Sequence, residues 1–440
     1  MDDFFAARSQ MALSLGFHII FACIGMIMPF FMAFSHYKYL KSQKEHYRKL
    51  TVAWSKGVAI FFVTGAVSGT MLSFELGLLW PQFMLHAGPI FGMPFSLEGT
   101  AFFIEAIAIG FFLYGWGKFN PWFHWWTGVV VGVSGLLSGI LVVAANGWMN
   151  SPSGFDYIDG EFLNVDPIAA MFNDAWFTQS LHMTLAAFVA TGFAVAGIHA
   201  LLLLKGKNQE LHWTAVKIAL AFGAIAAILQ PVSGDISAKD VATRQPAKLA
   251  AMEAHFHTEK AAPLVIGGWP NEKKQTVSYA IRIPGGLSFL AHGDTNAEVT
   301  GLDQFPEENR PPVLITHIAF QLMVGIGMLL LVVGIIGIFG LWKKKAYLQS
   351  KWFLTLLVMM TPLGFVAVEA GWVVTEVGRQ PWIIYEVMKT RDGLTPMRGI
   401  VYSFWVYAFV YLSLCAIVTV LLIRQVRQLD KKEHNLPTYP

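Results

Sequence analysis

Nine stretches of this 440-residue chain are continuously apolar over lengths that a soluble domain has no use for. A helix rises about 1.5 Å per residue, so some 20 apolar residues cross a hydrocarbon layer about 30 Å thick. The expected spans fall at roughly 11–35, 52–77, 96–117, 124–148, 175–204, 213–233, 312–341, 352–376 and 400–423. The fold class that follows is an all-α membrane bundle of about nine transmembrane helices. Composition agrees, with 55% hydrophobic residues against 13% charged. A net charge of +3 is too small for a nucleic-acid binder. Cys23 and Cys415 both sit inside apolar runs, which argues against a disulfide framework, a zinc site or an iron-sulfur cluster. The opening MDDFFAARSQ lacks the basic n-region of a removable signal peptide, so the first span is expected to stay.

Orientation follows from Lys and Arg in short connections, which stay on the cytoplasmic side. The connections after spans one, five and seven carry Lys38, Lys41, Lys44, Arg48 and Lys49, then Lys205 and Lys207, then Lys343, Lys344, Lys345 and Lys351. Residues 78–95 and 149–174 carry neither Lys nor Arg and read as outer loops. The N-terminus is then outside and the tail beginning at Arg424 and Arg427 inside. The chain divides into helices one to six over 1–233, a long outer connection over 234–311, and helices seven to nine with a cytoplasmic tail over 312–440. A connection this long is usually functional or disordered. Its QPAKLAAMEAHF segment reads as an amphipathic helix, favouring a functional lid. No internal repeat is evident, which weakens transporter folds built from two inverted halves.

Ionisable groups at membrane depth are costly and therefore candidates for function. His18 and His182 lie in the outer halves of spans one and five, and Met323 lies in span seven. Taken singly, each His suits a hydrogen-bonded interior position and the Met suits core filler. Together they form the kind of set from which a bundle holds haem iron. A His–Met pair makes a six-coordinate, electron-passing site, whereas an oxygen-binding haem needs a single protein ligand, a role His18 fits. Glu98 and Glu105 are seven apart on one helix and share a face. Glu369 and Glu376 repeat that spacing in span eight, and Arg379 follows at the boundary, where a guanidinium suits haem propionates.

Four motifs, GRQPW preceded by Glu, the EGTAFFIE helix, ANGWM in span four and QPAKLAAME in the long connection, resemble subunit I of cytochrome bd quinol oxidases over essentially the whole chain. The resemblance implies that His182 and Met323 are the axial pair of a low-spin haem b. It implies that His18 and Glu376 each hold one of two high-spin haems, one haem b and one haem d, without saying which holds which. Trp372 matches a tryptophan between haems, Glu98 and Glu105 acids on a proton route, and His124, Asn146 and Arg379 residues around propionates and the proton path. Lys248 and Glu253 match the quinol-binding pair of the family's Q-loop. Five residues apart on a helix is an offset of about 140°, so the two can flank a headgroup. The implied partners are a second membrane subunit of like fold, subunit II, a small single-span subunit, a membrane quinol (menaquinol or ubiquinol) and O2.

Two departures stand out. Gln321 occupies a position where some members carry Arg, two residues before the Met ligand, which predicts shifted redox potentials. The connection is short, lacking the C-terminal insertion of the long-loop members. The implied reaction is quinol oxidation at the outer face and reduction of O2 to water with cytoplasmic protons, building a proton motive force without pumping, in the plasma membrane of a prokaryote. A transporter or channel using the four Glu as a relay, or a structural subunit with idle His residues, would instead be colourless.

Overall fold

The computed structural model of the chain describes residues 1–429; the last part of the expected tail, 430–440, lies outside the described residues. Helix α1 (Asp3–Ser42) starts where the Asp2 carboxylate accepts the Phe5 N–H at 2.7 Å and stops at Gln43, whose φ of 54° is left-handed. Helix α2 (Glu45–Leu79) is separated by Trp80 alone from α3 (Pro81–Tyr114), and α4 spans Pro121–Asn150. Pro opens both α3 and α4, where its missing N–H costs nothing. A small hairpin, β1 (Asp156–Ile158) and β2 (Glu161–Leu163), and a short α5 (Pro167–Met171) precede α6 (Trp176–Leu204) and α7 (Gln209–Arg244).

The long connection folds as α8 (Pro246–Met252), β3 (Glu259–Lys260), β4 (Leu264–Asn271), β5 (Thr276–Ile283), α9 (Gly286–His292) and β6 (Glu298–Val299). It pairs β4 with β5 and β3 with β6, both antiparallel. Helix α10 (Val313–Trp342) follows, then α11 (Lys351–Met360), α12 (Leu363–Val377), the pair β7 (Trp382–Ile384) and β8 (Met388–Lys389), and α13 (Ile400–Gln428). Among the described residues nine helical segments are long and apolar enough to cross a membrane, with α11 and α12 forming one of them.

Four expectations need correction. Residues 78–95 are not a loop: α2 and α3 continue through them. The stretch carries Gly88, Pro89, Gly92 and Pro94, residues that usually end a helix, yet α3 runs through all of them. It is held by packing, since Phe83, Ala87, Ile90 and Phe91 join Ala6, Ala7, Trp80, Trp148 and Ile384 in one buried cluster. The long connection does not begin at 234, because α7 runs on to Arg244 with Lys239 paired to Asp235 and Arg244 to Asp240 one turn apart. The QPAKLAAMEAHF helix is short and buried on every side from Ala247 to Met252, not amphipathic on a surface. The eighth span is broken at Thr361–Pro362, where Pro cannot donate to the preceding turn.

The main core lies between α1, α2, α6, α7, α10 and α11, filled by Phe31, Trp54, Phe193, Leu220 and Phe353. One of its close helix contacts is α6 against α7 at Gly192 and Gly223. A Cβ on Gly192 would lie 2.5 Å from the Gly223 Cα, so only glycine permits this approach. The last span is peripheral: within α13 only Ile400, Tyr411 and Val418 are buried. Its start is tied to the other end of the chain, since the Asp3 carboxylate accepts the Ile400 N–H at 2.9 Å and the Gly399 N–H at 3.3 Å.

Candidate functional site

The candidates gather at the end of the bundle that carries the long connection. There the C-terminal turns of α4 and α12 meet α8. Asn146 donates to Glu376 Oε1 at 2.6 Å, and Arg379 Nη2 donates to Glu376 Oε2 at 2.5 Å. Asn150, one turn beyond Asn146, donates to Asn146 Oδ1 at 3.1 Å and to its backbone oxygen at 2.9 Å. Asn150 Oδ1 in turn accepts from Lys248 Nζ at 2.6 Å. Arg379, Glu376, Asn146, Asn150 and Lys248 thus form one unbroken polar chain from the eighth span into the long connection. Asn150 was not among the sequence candidates; its signal was its i+4 spacing from Asn146 at a helix end.

Lys248 is only 4% exposed, and burial, with Arg379 adding to it, holds its ammonium well below the usual lysine range against the opposing pull of Glu376. Arg379, also buried, is lowered by burial while Glu376 opposes. Glu253, fully buried at the end of α8, is pushed up to about 8 by burial. The Val265 N–H lies near enough to its carboxylate to oppose this in part, yet neither Glu253 oxygen has a hydrogen bond of normal geometry.

The three candidate iron ligands on α1, α6 and α10 are held in different ways. His18 Nδ1 meets Ser68 Oγ of α2 at 2.8 Å, which leaves Nε2 for another partner. Gly69 makes room beside the ring: a Cβ there would stand 3.2 Å from His18 Cε1. His182 Nδ1 lies 3.2 Å from Ser233 Oγ, while Gln230 Nε2 approaches His182 Nε2 at 3.1 Å. An amide N–H donates, so it is the Nε2 lone pair that faces it. Met323 faces α12, where a Cβ on Gly371 would sit 3.1 Å from its sulfur. Met323 shares a cluster with Met252 of α8, Ala370 and Val374. Trp372 packs partly buried against the main core, one turn before Glu376.

Glu98 and Glu105 both face α4. Ser138 Oγ donates to Glu98 at 2.9 Å, and a Cβ on Gly135 would lie 3.3 Å from both Glu105 carboxylate oxygens. Glu369 faces α1 at Gly16 and keeps one buried oxygen without a partner. A fifth acid escaped the sequence reading: Glu75 in α2 is fully buried and accepts from Ser14 at 2.7 Å and Gln10 at 3.2 Å. The signal was there, an acid near the end of an apolar run. His124 does not join the site. It lies 22 residues before Asn146 on α4, some 33 Å away along the axis. It packs instead with His36, Phe112 and Trp116 at the opposite end of the bundle.

Whether these residues suit haem can be judged from unmet bonding capacity. Arg379 is 2% exposed, and its Nε and Nη1 have no hydrogen-bond partner, leaving two buried guanidinium donors to be answered by an anion. Among the described residues no three His, Cys, Asp or Glu converge on a bare-metal site. The donors stand singly, as suits an iron whose other positions a porphyrin fills. The set fits the group.

Comparison with known proteins gives the family. Residues 6–430 match the family described as cytochrome bd terminal oxidase subunit I. A Bacillus subtilis (strain 168) protein provisionally named cytochrome bd menaquinol oxidase subunit I is 35% identical over 97% of both chains. A second B. subtilis protein, cytochrome bd ubiquinol oxidase subunit 1, is 28% identical over 99% of this chain and 97% of its own. The solved bd oxidase of Geobacillus thermodenitrificans superposes with a TM-score of 0.92 at 37% identity, covering 97% of this chain and 99% of that one. The chain belongs to the cytochrome bd terminal oxidase subunit I family, as a multi-pass prokaryotic membrane protein and an oxidoreductase.

Proposed function

We propose that this chain is the catalytic subunit of a haem-containing quinol oxidase, oxidising a membrane quinol at the end that carries the long connection and reducing O2 to water. The observation that carries this reading is the polar chain from Lys248 through Asn150 and Asn146 to Glu376 and Arg379, which joins one member of the quinol pair to an iron-ligand candidate and to two unanswered guanidinium donors. In this reading His182 and Met323 hold a low-spin haem b, and His18 and Glu376 each hold one of a high-spin pair, haem b and haem d. The haems, when bound, supply electron transfer and oxygen reduction.

The chain's own groups supply the rest. Glu253 accepts a quinol proton, and Lys248, whose buried ammonium is easily neutralised, polarises a ring oxygen. Arg379 holds propionate charge and keeps the Glu376 carboxylate oriented together with Asn146. Glu98 and Glu105 pass protons along the α3–α4 contact from the Lys-rich end, taken as cytoplasmic, so the reaction builds a proton motive force without pumping. Trp372 lies between cofactor sites. The N-terminus is outside. Subunit II is the implied partner, with a small single-span subunit beside it.

The test is a reduced-minus-oxidised absorbance spectrum of the purified complex, in which haem b and d bands are expected. A colourless complex would overturn the reading and favour a transporter.

A further inference from the structure

Helix α10 sends two side chains, one turn apart, into the long connection. Gln321 engages the backbone of β4 with both ends of its amide: Nε2 donates to the Val265 oxygen at 2.9 Å, and Oε1 accepts the Gly267 N–H at 2.9 Å. His317, which is fully buried, sets Nδ1 2.8 Å from the Met252 oxygen and Nε2 3.0 Å from the Gly267 oxygen. Both partners of His317 are carbonyl oxygens, which can only accept, so a ring N–H on this side chain donates to the long connection.

These contacts enclose Glu253 on both sides. Met252 directly precedes it, and Val265 is the residue whose N–H lies near its carboxylate. The glutamate itself has no hydrogen bond of normal geometry, so its position is set by the backbone around it. That backbone is fastened at three carbonyls and one N–H to the helix that carries Met323. Gly267 adopts a φ of +67°, a conformation glycine enters freely, and this turns both of its polar groups to α10. An arginine at 321 could donate to the Val265 carbonyl but could not accept the Gly267 N–H. The neutral amide is therefore suited to the strand, which gives the departure noted in the sequence a role outside the haem.

We infer that His317 and Gln321 are positioning residues for quinol oxidation, clasping the connection to α10 so that Glu253 stands at the quinol headgroup in register with the Met323 helix. The inference rests on the reading of Lys248 and Glu253 as the quinol pair, and the experiment separates the two. The whole oxidase complex in membranes is assayed with a menaquinol analogue, and with a small-molecule reductant that delivers electrons without using the quinol pair. Gln321→Leu, close in volume, removes both amide hydrogen bonds. The expected result is a KM for the quinol analogue about tenfold higher, the equivalent of about 1.4 kcal/mol, with turnover on the small reductant and the haem spectrum unchanged. His317→Gln, which can answer only one of the two carbonyls well, is expected to move in the same direction.

An unchanged quinol KM in both variants would overturn the clasp. So would a parallel loss of haem and of turnover on both donors in the two variants, since that marks a purely structural role. Glu253→Gln is the separate control. If it leaves quinol oxidation intact, the quinol-site reading fails, whatever Gln321→Leu does; if it abolishes quinol oxidation while Gln321→Leu and His317→Gln are silent, only the clasp fails.

Discussion

Glu253 offers the sharpest pH prediction. Burial moves its carboxyl from 4.5 to about 8, so at neutral pH the group is mostly protonated. Ionising it in place costs on the order of 5 kcal/mol relative to water, at about 1.4 kcal/mol per unit. A general base works only when deprotonated, so kcat/KM for quinol should climb about tenfold per pH unit below the shifted value and level off above about 8. The direction is fixed by the sign of the shift: raising pH empties the site of its proton and makes it competent to take one from the substrate. The assay is initial-rate quinol oxidation by the complex from pH 6 to pH 9, with turnover on a small-molecule reductant as the baseline. Glu253→Gln should lower the rate at every pH and flatten the profile. A wild-type profile flat over the same window, or an E253Q variant keeping the wild-type slope, would refute the reasoning.

Three further outcomes are expected. Glu105→Gln should slow turnover severalfold while leaving every haem bound, read by oxygen consumption together with pigment content; normal turnover would remove Glu105 from the proton route. Arg379→Leu leaves the Glu376 carboxylate with Asn146 alone and removes the two unanswered donors, so haem content should fall, measured as pigment per protein after purification. Gly192→Leu inserts a side chain where a Cβ alone would stand 2.5 Å from the neighbouring backbone; it should destabilise the bundle by at least the 1–3 kcal/mol typical of overpacking and lower the thermal midpoint.

Much of this architecture was legible in the residues because a bilayer forces backbone groups to bond within each span. Apolar length alone located all nine spans. What it missed were features that length does not encode. The Thr361–Pro362 break was visible as a Pro within an apolar run, a known breaker signal that hydropathy averages away. The helical 78–95 stretch read as a loop because charge bias reports the side of a connection, not its conformation. His124 was grouped with Asn146 although their 22-residue separation on one helix already put them at opposite ends. Lys248, Asn146 and Glu376 were singled out in the sequence, yet Asn150, which joins Lys248 to the other two, carries no charge to attract notice. His317 and Gln321 were hidden for another reason: their partners are backbone atoms some 50 residues or more away in sequence, and pattern reading has no access to such contacts.

The Asp3 cap on α13 bears on how the chain is made. The acceptor and its two donors are 396 and 397 residues apart, so the acceptor leaves the ribosome long before its donors are made. On the opening helix Gln10 and Ser14 find Glu75 of α2, the next helix made, whereas Phe17 waits for Tyr411 of the last span. A chain that loses its last span therefore leaves Phe17 without Tyr411 and the Asp3 carboxylate without the N–H groups that it caps.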